Sequence, residues 1–241
     1  MTPLVLVHGL MGGSPQWNLQ YKAFSDHFEV VALDLPGFGK NAHLSAIDRI
    51  DGLADWVIAH LRALGTDRYH LLGHSMGGMV VQEIARADQS GVQKLILYAT
   101  GAIGVLPGRF ETIDESKARV EQDGVAATAS RIAATWFWET KAAPHFKDCE
   151  TLARMATKDA ILAGLDAMQN WSGAEHLQDL QQETLVVCGD RDRTYSWDQT
   201  HLLWSSIPNA SLSVIPGCAH AVHMEKPALF NGVLLDYLMT G

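Results

Sequence analysis

Short apolar runs alternate along the chain with longer stretches in which apolar residues recur every three or four positions. Leu4-Val5-Leu6-Val7, Val30-Val31-Ala32-Leu33 and Leu95-Ile96-Leu97-Tyr98 are continuous apolar runs, and Tyr69–Leu72 is a further strand interrupted only by His70. Such runs suit strands covered on both faces. Between them, Trp17–Asp26, Ile50–Leu64 and Met76–Ala87 read as helices, the second carrying Leu53, Val57, Leu61 and Leu64 at helical spacing. This β-α-β-α-β-α-β order predicts a mostly parallel sheet with helices on both faces.

The alternation stops after Thr100. From 101 to 180 the pattern is helical, with no strand, and it holds Trp136, Phe137, Trp138 and Trp171. It resumes with the strand Leu185-Val186-Val187-Cys188, a helix near Trp197–Ile207, the strand Leu212–Ile215 and a last helix from Pro227 to Leu238. The expected organisation is one α/β domain of about six strands, formed by 1–100 and 181–241. A helical cap, 101–180, is inserted after the fourth strand. The 241-residue length fits one large domain at roughly 100–200 residues per domain.

Composition narrows the function. Eighteen Lys and Arg against 27 Asp and Glu leave a net charge of −9. That balance argues against a phosphate-backbone surface, so no nucleic acid is expected. The uncharged apolar stretch Leu95 to Gly108 has 14 residues broken by four glycines or prolines, too short for a membrane span. The first Lys or Arg is Lys22, so no basic-headed secretory leader is expected. Cys149, Cys188 and Cys218 form no C-x-x-C pair, which predicts free thiols in a reducing cytoplasm.

Gly73-His74-Ser75-Met76-Gly77 fits G-x-S-x-G, and its place between a strand and a helix is the context a nucleophile elbow requires. A sharp turn there lifts the Ser75 hydroxyl above the strand end and sets the Met76 N–H at a helix N-terminus, where an oxyanion is stabilised. A serine needs a base, and the base needs an orienting group. His220 follows the strand Leu212–Ile215, and Asp190 and Asp192 follow Leu185–Cys188. These are strand carboxyl ends, where parallel sheets bind ligands. His223, three residues beyond His220, could suggest a His-x-x-His metal pair. Metal pairs usually share a helical face with a further ligand, whereas these two are expected in a loop, so no metal and no organic cofactor is expected. His8 reads as structural, and His70 and His74 as packed or hydrogen-bonded.

Together these blocks resemble the α/β-hydrolase superfamily across essentially the whole chain. They are Val7-His8-Gly9, the turn Asp34–Gly39, Gly73–Gly78, Gly189-Asp190-Arg191-Asp192, and Gly217, His220, Glu225 and Pro227. The resemblance implies the α/β-hydrolase fold and a triad of Ser75, Asp192 and His220, the acid being the fourth residue of G-x-x-D. It implies oxyanion donors at the N–H groups of Leu10 and Met76, with Met11 the lesser alternative. Gly-His-Ser-Met-Gly-Gly-Met and the segment Arg119–Phe137 look most like the 3-oxoadipate enol-lactonase and carboxylesterase group. Members commonly carry about two edge strands before the His-Gly strand, whereas His8 here follows seven residues, so those strands are expected to be absent.

The implied activity is hydrolysis of a small-molecule ester or lactone through an acyl-enzyme. Two rivals share the residues: a carbon–carbon hydrolase of a vinylogous diketone, whose family commonly has Asn where His74 stands, and a non-catalytic receptor. Trp136, Phe137, Trp138 and Trp171 are candidates for an apolar pocket over Ser75. Arg109, Arg119, Arg131 and Arg154 are candidates to hold a substrate carboxylate.

Overall fold

The computed structural model describes residues 2–107 and 111–240. Six strands form one sheet: β1 (Leu4–Val7), β2 (Val30–Ala32), β3 (Tyr69–His74), β4 (Val92–Tyr98), β5 (Glu183–Gly189) and β6 (Ala210–Ile215). Their spatial order is β2-β1-β3-β4-β5-β6. Every pairing in this sheet is parallel, with Leu6 opposite Leu72 and Leu97 opposite Val186.

Period-two alternation sorts each strand between two apolar layers. Val5, Val7, Leu71, Leu95 and Leu97 face one core with α2 (Ile50–Ala63) and α3 (Met76–Ala87). Leu4, Leu6, Leu72, Ile96 and Tyr98 face the other with α1 (Asn18–Phe24) and the last helix. Most of these side chains are fully buried, which explains why the strands are continuous apolar runs.

Between β4 and β5 the chain is helical: α4 (Ile113–Thr135), α5 (Phe146–Ala153) and α6 (Lys158–Gln169). Thr112 and Glu115 start α4 with a reciprocal capping box. Gly124, at φ 76°, bends it midway. The neck of the segment is closed by an antiparallel bridge between Ile103 and Ser172. The Gly104 N–H donates to the Trp171 carbonyl, and the Gly173 N–H to Ala102. Helices α7 (Trp197–Ser206), α8 (Val222–Glu225) and α9 (Pro227–Met239) complete the fold. His223 therefore sits on a short helix and not in the loop expected of it. No described helix is long and apolar enough to cross a membrane.

Two glycines set how closely the elbow packs. A Cβ on Gly77 would lie 2.4 Å from the His8 carbonyl oxygen and 2.6 Å from that of Val7. A Cβ on Gly73 would lie 2.3 Å from the Gly77 oxygen. These are backbone collisions that no side-chain rotation relieves. Only glycine lets α3 start this close to the ends of β1 and β3.

Candidate active site

Ser75 follows β3 at the carboxyl edge of the parallel sheet, the same edge from which the loops after β1, β5 and β6 leave. Ser75 is held at φ 56°, ψ −120°, a strained conformation for a residue with a side chain, costing about 1–3 kcal/mol. Its neighbours fix that turn. The Ser75 N–H donates to the Tyr98 carbonyl at 3.0 Å. The Ser75 carbonyl accepts from the Gly78 N–H and the Thr100 hydroxyl, each at 2.8 Å.

The loop after β1 closes over this turn. A Cβ on Gly9 would be 2.9 Å from Ser75 Cβ, so the His-Gly pair lies directly against the serine. His8 pins the loop. Its Nδ1–H donates to the Gly9 carbonyl at 2.8 Å, and its Nε2 accepts the Leu35 N–H at 2.9 Å. Asp34 fastens the far side by accepting the Ser14 N–H and hydroxyl at 2.7 and 2.9 Å.

Asp192 and His220 meet. The His220 Nδ1 lies 2.9 Å from Asp192 Oδ2, and both side chains are almost fully buried. The other carboxylate oxygen of Asp192 accepts the N–H groups of Thr194 and Tyr195 at 2.7 and 3.2 Å. Asp190 points elsewhere: it accepts the Gly217 N–H at 2.6 Å and pairs with Arg191. The Tyr195 ring stacks on His220 at 5.7 Å and the Trp136 ring lies 6.2 Å from it. Those two rings, with Leu10, Leu106, Ile132, Met168 and Thr194, also line the cavity of about 30 Å³ that contains Ser75.

Three buried imidazoles nearby are kept neutral. Burial, with the adjacent His220 and His223 adding repulsion, holds His74 well below the ordinary histidine range. Burial first, then His220, pushes His223 down to about 3. Burial also lowers His8, partly offset by its bond to Gly9. In the unfolded chain each titrates near 6.5. Below that pH the unfolded state binds protons that the native state refuses, so stability is full above about pH 6.5 and falls as pH drops, down to about 3 for His223. The limiting loss is about 1.4 kcal/mol per pH unit for each histidine. Glu225, whose carboxyl burial raises, works in the opposite sense over the lower part of this range. Urea unfolding at pH 7.5, 6.5 and 5.5 is expected to show a midpoint that falls between the last two. A midpoint that rises there would contradict the neutral assignments.

Of the four aromatic candidates, the structure brings Trp136 to the Ser75 cavity. Phe137 is fully buried beside Phe146, Cys149, Ala221 and Met224. Trp138 is half exposed, under the Arg191 and Arg193 guanidinium groups at 5.3 and 4.8 Å. Trp171 donates its Nε1–H to Glu83 at 2.8 Å and lines a separate cleft with Arg49 and Arg86. Among the arginines, Arg119 and Arg131 pair with Glu111, and Arg154 with Glu150; Arg109 lies outside the described residues. A cleft of about 340 Å³ between Gln16, Leu19, His145 and Met155 does not include Ser75.

Glu225 and Arg193 have a role that motif spacing did not reveal. Glu225 accepts the N–H groups of Trp138 at 2.7 Å and Ala219 at 2.6 Å. Arg193 donates to the carbonyls of Phe137 and Trp138 at 3.1 and 3.2 Å. Together they stitch the end of α4 to the loops carrying His220 and Asp192. The thiols stand apart from this chemistry. Cys149, Cys188 and Cys218 are free and buried, and burial pushes them up to about 12, 11 and 12. Among the described residues no group of three or more His, Cys, Asp or Glu converges to hold a metal ion.

The alpha/beta hydrolase family model matches residues 4–233. The chain belongs to the alpha/beta hydrolase family. Among relatives of this hydrolase, a putative carbamate hydrolase, RutD, from Agrobacterium fabrum is 26% identical, the match covering 98% of this chain and 92% of the relative. An esterase from Thermogutta terrifontis is 26% identical with a TM-score of 0.88, over 99% of this chain and 89% of the other. The enol-lactonase from Burkholderia xenovorans superposes with a TM-score of 0.92 at 20% identity, over 100% of this chain and 92% of the other. At that identity it speaks for the fold, and the parallel sheet with its flanking helices is the α/β-hydrolase fold.

Proposed function

We propose that the protein is a serine hydrolase that cleaves a carboxylic ester or lactone through an acyl-enzyme on Ser75. The observation that carries this reading is the buried Asp192–His220 hydrogen bond of 2.9 Å, whose imidazole shares Trp136 and Tyr195 with the cavity of a strained Ser75. In this reading Ser75 Oγ attacks the carbonyl carbon while His220 Nε2 takes its proton. Asp192 holds the Nδ1–H tautomer and stabilises the imidazolium. The Leu10 and Met76 N–H groups receive the developing oxyanion, each contributing on the order of 3 kcal/mol. The imidazolium then protonates the leaving alkoxide. Water, deprotonated by His220, attacks the acyl carbon; the bond to Ser75 Oγ then breaks, Oγ takes the proton back from His220, and the acid is released.

Support for an uncharged acyl group comes from the cavity lining of Leu10, Leu106, Ile132, Trp136 and Met168. A carbamate presents its carbonyl to the same nucleophile, so the carbamate hydrolase relative belongs to the same reaction class. The test is a panel of p-nitrophenyl esters of graded acyl length, lactones, a carbamate and a yellow ring-cleavage dienol. Turnover of an ester or lactone with none of the dienol is expected. Turnover of the dienol alone would replace this reading with carbon–carbon hydrolysis.

A further inference from the structure

The backbone carbonyl of His220 has two side-chain partners on elements remote in sequence. Tyr98, the last residue of β4, places its hydroxyl 2.9 Å away. His74, the last residue of β3, places Nε2 at 3.3 Å. A carbonyl only accepts, so both groups donate. His74 then carries its proton on Nε2, leaving Nδ1 to accept the Gln16 amide N–H at 3.3 Å.

The proton on Tyr98 has one competing acceptor, His223 Nδ1 at 2.9 Å. If Tyr98 donated there, its bond to the His220 carbonyl would be lost, while His223 Nε2 is buried with no partner in either tautomer, so the tautomer that makes more of the remaining bonds is favoured. With the proton on Nδ1, His223 donates to Tyr98, which also accepts the His223 main-chain N–H at 3.1 Å. Tyr98 is then free to donate to His220. Burial supports this arrangement by keeping the Tyr98 phenol protonated and both imidazoles uncharged.

We propose that Tyr98 and His74 are positioning residues for His220, clamping its carbonyl so that the imidazole keeps its register between Asp192 and Ser75. The inference rests on the triad reading above. The clamp is anchored in the rigid core. Tyr98 stacks on His74 at 4.6 Å and packs on Phe230 at 4.7 Å. The His223 carbonyl accepts from Gln20 at 2.8 Å, and Gln20 also reaches Asn231 of α9 at 3.1 Å. Because the donors are neutral, the clamp adds no charge to repel an imidazolium on His220, whose ring is 4.7 Å from that of His74.

Tyr98→Phe keeps the ring and removes one donor. Its kcat on the best ester is expected to fall about 10- to 100-fold with KM within twofold, as for a base displaced by a fraction of an ångström to an ångström. The downfield proton resonance of the His220–Asp192 bond should broaden or move. His74→Leu should behave likewise. His74→Gln, whose amide still donates, should recover most of the loss. Should Tyr98→Phe fail to fold, the His74 pair decides. Folded variants with kcat within twofold of wild type and an unmoved resonance would overturn the inference, as would equal losses for His74→Leu and His74→Gln. Fluorophosphonate labelling of wild-type Ser75 separates the two levels. Absence of labelling defeats the triad reading itself; labelling with unaffected variants defeats the clamp alone.

Discussion

Replacing Ser75 by alanine is expected to lower kcat for ester hydrolysis by about five to six orders of magnitude while leaving the fold intact. The size follows from what the hydroxyl does in the proposed reaction. It forms the bond that splits one difficult step into two, and His220 has nothing to deprotonate once it is gone. The elbow itself survives. Its backbone is held by the Tyr98 carbonyl, the Gly78 N–H and the Thr100 hydroxyl, none of which touches Ser75 Oγ. Circular dichroism and the unfolding midpoint should therefore match wild type. Activity within tenfold of wild type would place the nucleophile elsewhere.

The second large effect is at the acid. Asp192→Asn should lower kcat by about 10⁴-fold. An asparagine keeps the shape, but its amide would present N–H to His220 Nδ1 and favour the wrong tautomer. The nitrogen that should accept the serine proton would then already carry one. Its partner oxygen still accepts from Thr194 and Tyr195, so the loop keeps its form. Asp190→Asn is the internal comparison. Asp190 bonds to Gly217 and Arg191, away from the imidazole, and its variant should stay within a few-fold of wild type. Steady-state kinetics on both variants checks the pair, and a greater loss at Asp190 would reverse the assignment.

Much of this architecture is legible in the chain because strands buried on both faces must be apolar throughout. Leu4–Val7 and Leu95–Tyr98 announce themselves for that reason. The start of α3 at Met76 is legible because Gly73 and Gly77 meet backbone that tolerates no Cβ. The family resemblance implies Asp192 over Asp190 as the fourth residue of G-x-x-D, and of the two it is Asp192 that lies 2.9 Å from His220.

The surroundings of the site were less legible. Trp136, Phe137 and Trp138 are consecutive, yet they face the cavity, the packing of α5 and the solvent side under two arginines. Trp136 caps the C-terminus of α4 and the chain turns immediately afterwards, so no helical or strand period governs the three directions. Tyr98 is hidden for another reason. It reads as the last apolar residue of a strand, and only the return of α8 beneath it turns its hydroxyl into a donor to His220. Such a contact spans 122 positions and leaves no local spacing to find.

The central claim is that Ser75 is a nucleophile activated by His220, and covalent capture tests it most directly. The intact protein is treated with a fluorophosphonate and its mass measured, then the modified peptide is sequenced by fragmentation. One phosphonyl adduct on Ser75 is expected in wild type, with none on Ser75→Ala and a much slower adduct on Asp192→Asn. An unmodified wild-type protein, or an adduct on another residue that persists in Ser75→Ala, would contradict the account.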